Sequence, residues 1–114
     1  MPRPKKCRRI CALPAVRRFG PLEGEPGEEI GMTVDEFEAV RLIDLLGRTQ
    51  EECAAQMGVA RTTVQLIYES ARQKLALMLV QGGRLVIEGG QYALCARAKE
   101  CRGRDCRRRE CRGS

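Results

Sequence analysis

The sequence contains no histidine and no tryptophan, and aromatic residues make up only 4% of its 114 residues. Without histidine, no side chain has an unperturbed pKa between pH 5 and 8, so acid–base catalysis near neutrality lacks its usual group. The chain also shows no glycine-rich phosphate loop after a strand and no pairing of a serine with a base. We therefore expect that the protein is not an enzyme.

A long apolar segment is missing as well. No run approaches the roughly 18 apolar residues of a membrane-spanning helix, and the N-terminus, MPRPKKCRRIC, has no apolar signal-peptide stretch. We expect no membrane contact and a cytoplasmic location, where thiols are normally kept reduced.

The net charge of +6 is unevenly distributed along the chain. The first 18 residues contain seven basic and no acidic side chains, and the last 18 contain eight basic and three acidic ones. The residues between them contain six basic and twelve acidic side chains. Two basic ends around an acidic body predict a polyanionic partner, and the alternative is a pair of solvated, disordered ends.

Local signals predict a mainly α fold of three helices. Thr33 and Thr49 each begin a Ser/Thr-x-x-Glu capping box, and glycines at 47, 58 and 82 mark helix ends. We divide the chain into a basic arm and acidic loop (residues 1–31, with the loop at 20–31), a helix-turn-helix domain (32–82), a β-hairpin (83–94) and a Cys/Arg-rich tail (95–114). Both ends are expected to be flexible.

The segment at 49–74 has the pattern of a helix-turn-helix. Ala54 is small where two helices approach each other, and Gly58 suits a left-handed turn between them. Val59 fills the corner, and Val64 and Ile67 face inward. Cys53 and Met57 complete the inward face of the second helix. The alternative is a helical hairpin that contacts a protein.

This arrangement leaves one face of the third helix pointing outward. Because the start of the second helix of such a unit enters the major groove, we expect these side chains to contact bases or phosphates in double-stranded DNA. Gln50 is expected on a phosphate. The outward residues are Arg61, Thr62, Thr63, Gln65, Leu66 and Glu69.

The N-terminal arm supplies further cations. Its prolines keep it extended, so it can follow a minor groove, although a plain tether is an equal alternative. The predicted contacts are Arg3, Lys5, Lys6, Arg8 and Arg9.

A family resemblance is carried by four separated motifs: MPRPKKCRRIC, TVDEFEAVRLID, QEECAAQMGVARTTVQLIYESARQKLA and LVQGGRLVIEGGQY. Together they resemble a family of uncharacterised prokaryotic proteins, catalogued as domain of unknown function one hundred thirty-four and predicted to bind DNA. The resemblance covers residues 1 to about 95. It implies a helix-turn-helix similar to region four of sigma factors, with the recognition helix starting at residues 61–68. Family members usually carry a basic residue where this chain has Leu66, which bears on base preference.

Seven cysteines are many for a reduced compartment. Cys53 lies on an apolar helix face and is expected in the core. With no histidine, a metal site would have to be thiolate-rich, as in Cys₄ zinc or an iron–sulfur cluster. The alternative is free thiols, or disulfides that form only on oxidation. The candidate ligands are Cys7, Cys11 and Cys95, with a fourth from Cys101 or Cys106.

These observations predict a sequence-specific DNA-binding protein that regulates transcription and responds to a metal or to redox state. Modules of this size bury little surface on DNA, so we expect a homodimer, with Leu75, Met78 and Leu79 either forming the interface or covered by the hairpin. The alternative function is a metal- or iron–sulfur-binding accessory protein whose helix-turn-helix docks a protein.

Overall fold

The computed structural model describes residues 8–90 and 92–94, and within them the chain is mainly α with small sheets. No helix in these residues is both long and apolar enough to cross a membrane. The elements in chain order are β1 (Arg8–Ile10), β2 (Arg18–Phe19), β3 (Glu29–Met32), α1 (Val34–Val40), a π-helical turn (Arg41–Leu45), α2 (Gln50–Met57), α3 (Arg61–Gln81), β4 (Arg84–Ile87) and β5 (Tyr92–Leu94).

Both predicted capping boxes are formed. The Thr33 side chain accepts a hydrogen bond from the Glu36 N–H, and the Glu36 carboxylate accepts one from the Thr33 N–H. Thr49 and Glu52 make the same reciprocal pair at the start of α2. Each pair satisfies two N–H groups that the first helical turn leaves without partners, which fixes where these helices begin.

The helix ends also agree with the sequence. Gly58 and Gly82 have left-handed conformations, with φ of 70° at both, and they follow the last residues of α2 and α3. The first helix differs in one respect, because α1 continues as a π-helical turn before Gly47. The three predicted helices are therefore confirmed, and the irregular turn is the part that periodicity did not predict.

The strands pair over long distances in sequence. In one sheet, β4 lies between β2 and β3, antiparallel to β2 and parallel to β3. In the other sheet, β1 pairs in parallel with β5. A parallel pair needs a long crossover connection, and α1, α2 and α3 provide it between β3 and β4.

The predicted hairpin at 83–94 is wrong, although its two strands exist. β4 and β5 lie in different sheets. Both edges of β4 are already occupied by β2 and β3, so β5 cannot pair with it. Gly89 and Gly90, with φ of 78° and 101°, direct the chain away from β4 rather than back along it.

The prediction of a free arm and loop over residues 1–31 also needs correction from Arg8 onward. This segment forms β1, β2 and most of β3, and Ile10 and Cys11 are buried. Each strand is too short to show a period of its own, and each pairs with a partner far along the chain. Residues 1–7 and 95–114, which contain the rest of the predicted flexible ends, lie outside the described residues.

Two clusters of buried side chains form the core. The first lies between α1, α2 and α3 and consists of Ala39, Leu42, Cys53, Ala54, Met57, Val64 and Ile67. The second lies between α1, α3 and the strands and consists of Ile10, Met32, Val34, Ala71, Leu85 and Ile87. Because α1 and α3 contribute to both clusters, the sheets and α2 are fixed relative to the same pair of helices.

Glu36 also joins α1 to α3 through polar contacts. Its carboxylate accepts hydrogen bonds from the Lys74 ammonium at 2.7 Å and from the Ser70 hydroxyl. Burial alone would raise the pKa of Glu36, but the hydrogen bonds from Lys74, Ser70 and the Thr33 N–H outweigh it and lower that pKa below its ordinary value of 4.5. The folded protein therefore holds Glu36 in its charged form.

This lowered pKa predicts a pH-dependent contribution to stability. The contribution is fully present above pH 4.5 and is lost as pH falls through the folded-state pKa, because the unfolded chain takes up the proton more readily. Glu36→Gln keeps the capping hydrogen bond but removes the charge, and we expect it to cost about 1–3 kcal/mol at pH 7. Urea unfolding at pH 7 and at pH 3 should show that difference shrinking in acid. A constant difference across this range would contradict the assignment.

Candidate nucleic-acid interface

The turn between α2 and α3 is compact. The N–H groups of Gly58 and Val59 both donate to the Ala54 carbonyl, which closes the end of α2. The chain then passes through Ala60 and begins α3 at Arg61. Ala60 has no side-chain cap to offer, so the first N–H groups of α3 receive no side-chain acceptor from it.

The inward residues of this turn are those predicted from the sequence. Cys53, Ala54 and Met57 of α2 pack with Val64 and Ile67 of α3, all buried, and Val59 packs against them. Burial, together with the nearby Glu38 carboxylate, raises the pKa of the Cys53 thiol to about 12. Cys53 therefore remains a protonated core side chain, as expected.

The outward residues of α3 are also largely where the sequence puts them. Leu66 is 69% exposed, and only Thr63 of the predicted set on α3 is half-buried. Within the exposed set, the Gln65 amide lies 3.5 Å from the Glu69 carboxylate. The start of α3 thus presents a cation, a carboxylate, a hydroxyl, an amide and apolar groups. The exposed members are Arg61, Thr62, Gln65, Leu66 and Glu69.

Gln50 is less favourably placed for a phosphate than the sequence suggested. It is half-buried, and Glu51 and Glu52 occupy the same first turn of α2. The Thr49 hydroxyl and the Glu52 carboxylate already use two of the backbone donors there. Two carboxylates would repel a phosphate at this end of α2, so the start of α3 is the better anion-binding end.

The predicted arginines of the N-terminal arm have intramolecular partners. Arg8 forms an ion pair with the buried Asp35 at 3.2 Å. Arg9 donates from Nε to the Gln56 carbonyl and from Nη2 to the Ala55 carbonyl, both at 3.2 Å. These two side chains are therefore part of the folded body. The other predicted arm contacts, Arg3, Lys5 and Lys6, lie outside the described residues.

The candidate metal-ligating cysteines also lie partly inside and partly outside the described residues. Cys11 is buried, while Cys7, Cys95, Cys101 and Cys106 lie outside the described residues. In the part of the chain that the structure covers, no three potential metal ligands come together. The extended strand β1 occupies the middle of the Cys7-x3-Cys11 spacing, so that spacing is not folded into a compact turn.

The last pair of the β1–β5 ladder comes one residue before a cysteine on both strands. Arg8 lies opposite Tyr92, Arg9 opposite Ala93 and Ile10 opposite Leu94. In the sequence, the residue after Ile10 is Cys11 and the residue after Leu94 is Cys95.

Sequence reasoning missed the contact between Arg9 and α2 and the ion pair between Glu38 and Arg41. Nothing in the local pattern around Arg9 indicates that it reaches α2, because its partners are 46 and 47 residues away. Glu38 did carry a signal, since it interrupts the apolar stripe of α1 and is three residues from Arg41. The structure pairs them, with Arg41 Nε 2.7 Å from Glu38 Oε1.

Comparison with known proteins gives a consistent family match. A family model described as "Protein of unknown function DUF134" matches residues 1–95. A UPF0251 protein of Desulfitobacterium hafniense is 61% identical over 97 residues, which cover 83% of this chain and 78% of that protein. A UPF0251 protein of Caldicellulosiruptor bescii is 52% identical over 92 residues, covering 81% of this chain and 65% of its own length. No solved structure matches the chain significantly.

Gly58 and Gly47 form a matched pair for testing the turn. Both have left-handed φ values, and a Cβ at Gly47 would meet no atom within 4 Å. A Cβ at Gly58 would lie 2.9 Å from Arg9 Nη2 and would push the guanidinium off its two carbonyls. Either alanine should cost about 1–2 kcal/mol for the backbone conformation. We expect Gly58→Ala to cost about 1 kcal/mol more, from the lost hydrogen bonds.

Thermal and urea unfolding of the two alanine variants measure this difference. Repeating both substitutions in an Arg9→Ala background provides the control, because the extra cost at position 58 should then disappear. Equal costs in the wild-type background would show that Arg9 does not restrict this position.

Proposed function

We propose a function for this chain, which belongs to the DUF134 family of proteins of unknown function: it binds double-stranded DNA through a helix-turn-helix formed by α2 and α3. The proposal rests on the exposed, uncapped N-terminal end of α3. Its first turns follow a left-handed glycine turn, have no side-chain cap and expose Arg61, Thr62 and Gln65. Such an end accepts anions and presents base-reading side chains at once.

In the proposed complex the start of α3 enters the major groove. Arg61 contacts a guanine edge or a phosphate, and Gln65 pairs with an adenine through its amide. The methyl groups of Thr62 and Thr63 suit thymine, and Leu66 adds an apolar contact where a basic residue would have added a cation. The role is that of a transcription regulator in the cytoplasm, with a unit similar to region four of sigma factors and without catalysis.

The distribution of charge indicates which basic residues would supply the affinity for DNA. The acidic body has twice as many acidic as basic residues, and Lys74 of α3 is engaged by Glu36. Arg72 stacks on Tyr68 at 5.6 Å from the ring centroid and lies 3.8 Å from Asp44. We therefore assign most phosphate contacts to the basic residues at 1–7 and 97–114, and base reading to α3.

We further propose that two copies of the chain act together. The last two turns of α3, residues 75–81, contain no charged side chain. Leu75 and Met78 pack against the second core cluster, whereas Leu79 and Val80 are 78% and 84% exposed. Residues 99–114 contain no aliphatic or aromatic side chain that could cover them. An uncharged face meets its own copy without repulsion, and a dimer would bind two half-sites.

Selection of duplexes from a random pool by the full chain, followed by fluorescence anisotropy, tests DNA binding. The selected site should bind more tightly than random duplex, and affinity for both should fall steeply between 50 and 200 mM salt. Gln65→Ala and Arg61→Ala should each reduce the preference for one base pair by roughly 5- to 150-fold, which corresponds to about 1–3 kcal/mol. Deleting residues 1–7 should weaken binding to all sequences alike.

Gln73→Ala on α3 and Arg84→Ala on β4 are the matched controls, because both side chains are exposed and lie away from the start of α3. The deletion ends before Arg8 so that the ion pair with Asp35 and the burial of Ile10 are kept. If the variants at 61 and 65 keep the same sequence preference as the controls, the assignment of the recognition end is wrong.

The second candidate function is favoured by the β1–β5 register. Ile10 lies opposite Leu94, and in the sequence each of them is followed by a cysteine, Cys11 and Cys95. Cysteine thiolates are suitable ligands for zinc or an iron–sulfur cluster. We propose that these two bind such a group together with Cys7 and either Cys101 or Cys106. The chain is then a metal- or redox-responsive regulator, or an accessory protein whose α2–α3 unit docks another protein.

Metal analysis and a visible spectrum of the untagged, anaerobically purified chain test this site. We expect stoichiometric zinc, or iron with charge-transfer absorption, and its loss in Cys11→Ser and in Cys95→Ser. Cys53→Ser is the control, because that thiol is buried between the helices and holds its proton. Full metal content in both test variants would remove the thiolate site and leave the DNA-binding proposal standing alone.

A further inference from the structure

The end of α2 is completed by a side chain from another element. The last carbonyls of a helix have no partner within it. Here the Ala54 carbonyl accepts from both Gly58 and Val59, so the N–H of Val59 is not available to the Ala55 carbonyl. Arg9 supplies donors instead, with Nη2 on the Ala55 carbonyl and Nε on the Gln56 carbonyl. Its positive charge also lies at the negative end of the α2 dipole.

Arg9 is held in this position by the residues around it. It lies in β1 opposite Ala93 of β5, between Arg8, which pairs with Asp35, and Ile10, which has no exposure to solvent. One residue further on, the Cys11 N–H donates to the buried Glu38 carboxylate at 2.9 Å. The guanidinium therefore reaches α2 from a backbone that is fixed on both sides.

The body of α3 is held by the buried Val64, Ile67 and Ala71, but the residues that connect α2 to α3 make few contacts of their own. Ala60 provides no cap, and only Val59 of the connecting residues packs against the first core cluster. Gly58, between Ala54 and Val59, is the residue over which the Arg9 guanidinium lies. Loss of order in this turn would therefore affect the first turn of α3, which carries Arg61, before it reaches the packed Val64 and Ile67.

We infer that Arg9 is a positioning residue for the exposed start of α3, not a phosphate contact. The inference rests on the proposed DNA-binding function for its consequence, but the geometry of the turn can be tested without DNA. A planar guanidinium is required, because it spans two neighbouring carbonyls where a lysine ammonium is a single point charge. Arg17 offers the matched comparison, because it belongs to the same N-terminal segment and has an exposed side chain.

The first measurement is amide hydrogen exchange on the full chain without DNA. In Arg9→Ala the Val59 amide should exchange at least about 10-fold faster, while the amides of Val64 and Ile67 keep their protection. Arg17→Ala should leave all three unchanged, and Arg9→Lys should fall between the wild type and Arg9→Ala. Circular dichroism identifies a temperature at which each variant is folded. If Arg9→Ala does not fold, Arg9→Lys against Arg17→Ala makes the same comparison.

The second measurement is the ratio of affinities for the selected duplex and for random duplex. Arg9→Ala should reduce this ratio at least about 10-fold, whereas Arg17→Ala should leave the ratio unchanged. Unchanged exchange at Val59, or a ratio that falls equally in the two variants, overturns the inference. If the wild-type chain shows no preference for any duplex, the proposed function fails, and the exchange experiment alone decides the role of Arg9.

Discussion

The packing of β1 against the helices depends on one buried carboxylate. Glu38 of α1 is 1% exposed, and it accepts two hydrogen bonds from Arg41 and one from the Cys11 N–H. A buried charge is tolerated only when it is paired and hydrogen-bonded, and loss of one partner costs about 3–5 kcal/mol. Glu38 therefore ties the backbone of Cys11, the residue after β1, to α1. This contact fixes β1, and β1 in turn fixes β5 and the end of α2.

The sequence predicted the parts of the fold that are determined locally. A capping box, a glycine in a left-handed turn and a 3.6-residue apolar period all lie within one helix, so α1, α2 and α3 could be found without knowing their neighbours. The strands β1, β2 and β3 could not, because each has two to four residues and a partner in a distant segment. The segments of β4 and β5 were found, but their partners were not. Whether β4 pairs with β5 or with β3 is decided by which edges are free, and no local pattern records that.

In the candidate site, too, the locally determined features were predicted and the long-range contacts were not. The inward and outward faces of α3 follow from helical spacing, and exposure agrees for Arg61, Gln65 and Leu66. Arginines cannot be sorted by spacing, because a solvated cation and a helix-capping cation look alike in sequence. Arg9 occurs in a basic run, but its partners are two carbonyls at the end of α2, 46 and 47 residues away in the sequence.

This distinction between arginines limits where DNA affinity can come from. Arg8 and Arg41 pair with carboxylates, and Arg9 donates to two backbone carbonyls, so these three guanidiniums are already engaged inside the fold. They would contribute less than solvated cations to counterion release from a phosphate backbone. The acidic body would by itself repel DNA. The basic residues outside the described part of the chain would therefore have to bring the proposed recognition end to the DNA. Since β1 and β5 are neighbours, the two basic ends begin from one ladder, the same ladder that holds Arg9 against the turn. In the proposed complex, phosphate binding by the ends and the orientation of α3 would therefore be coupled through β1.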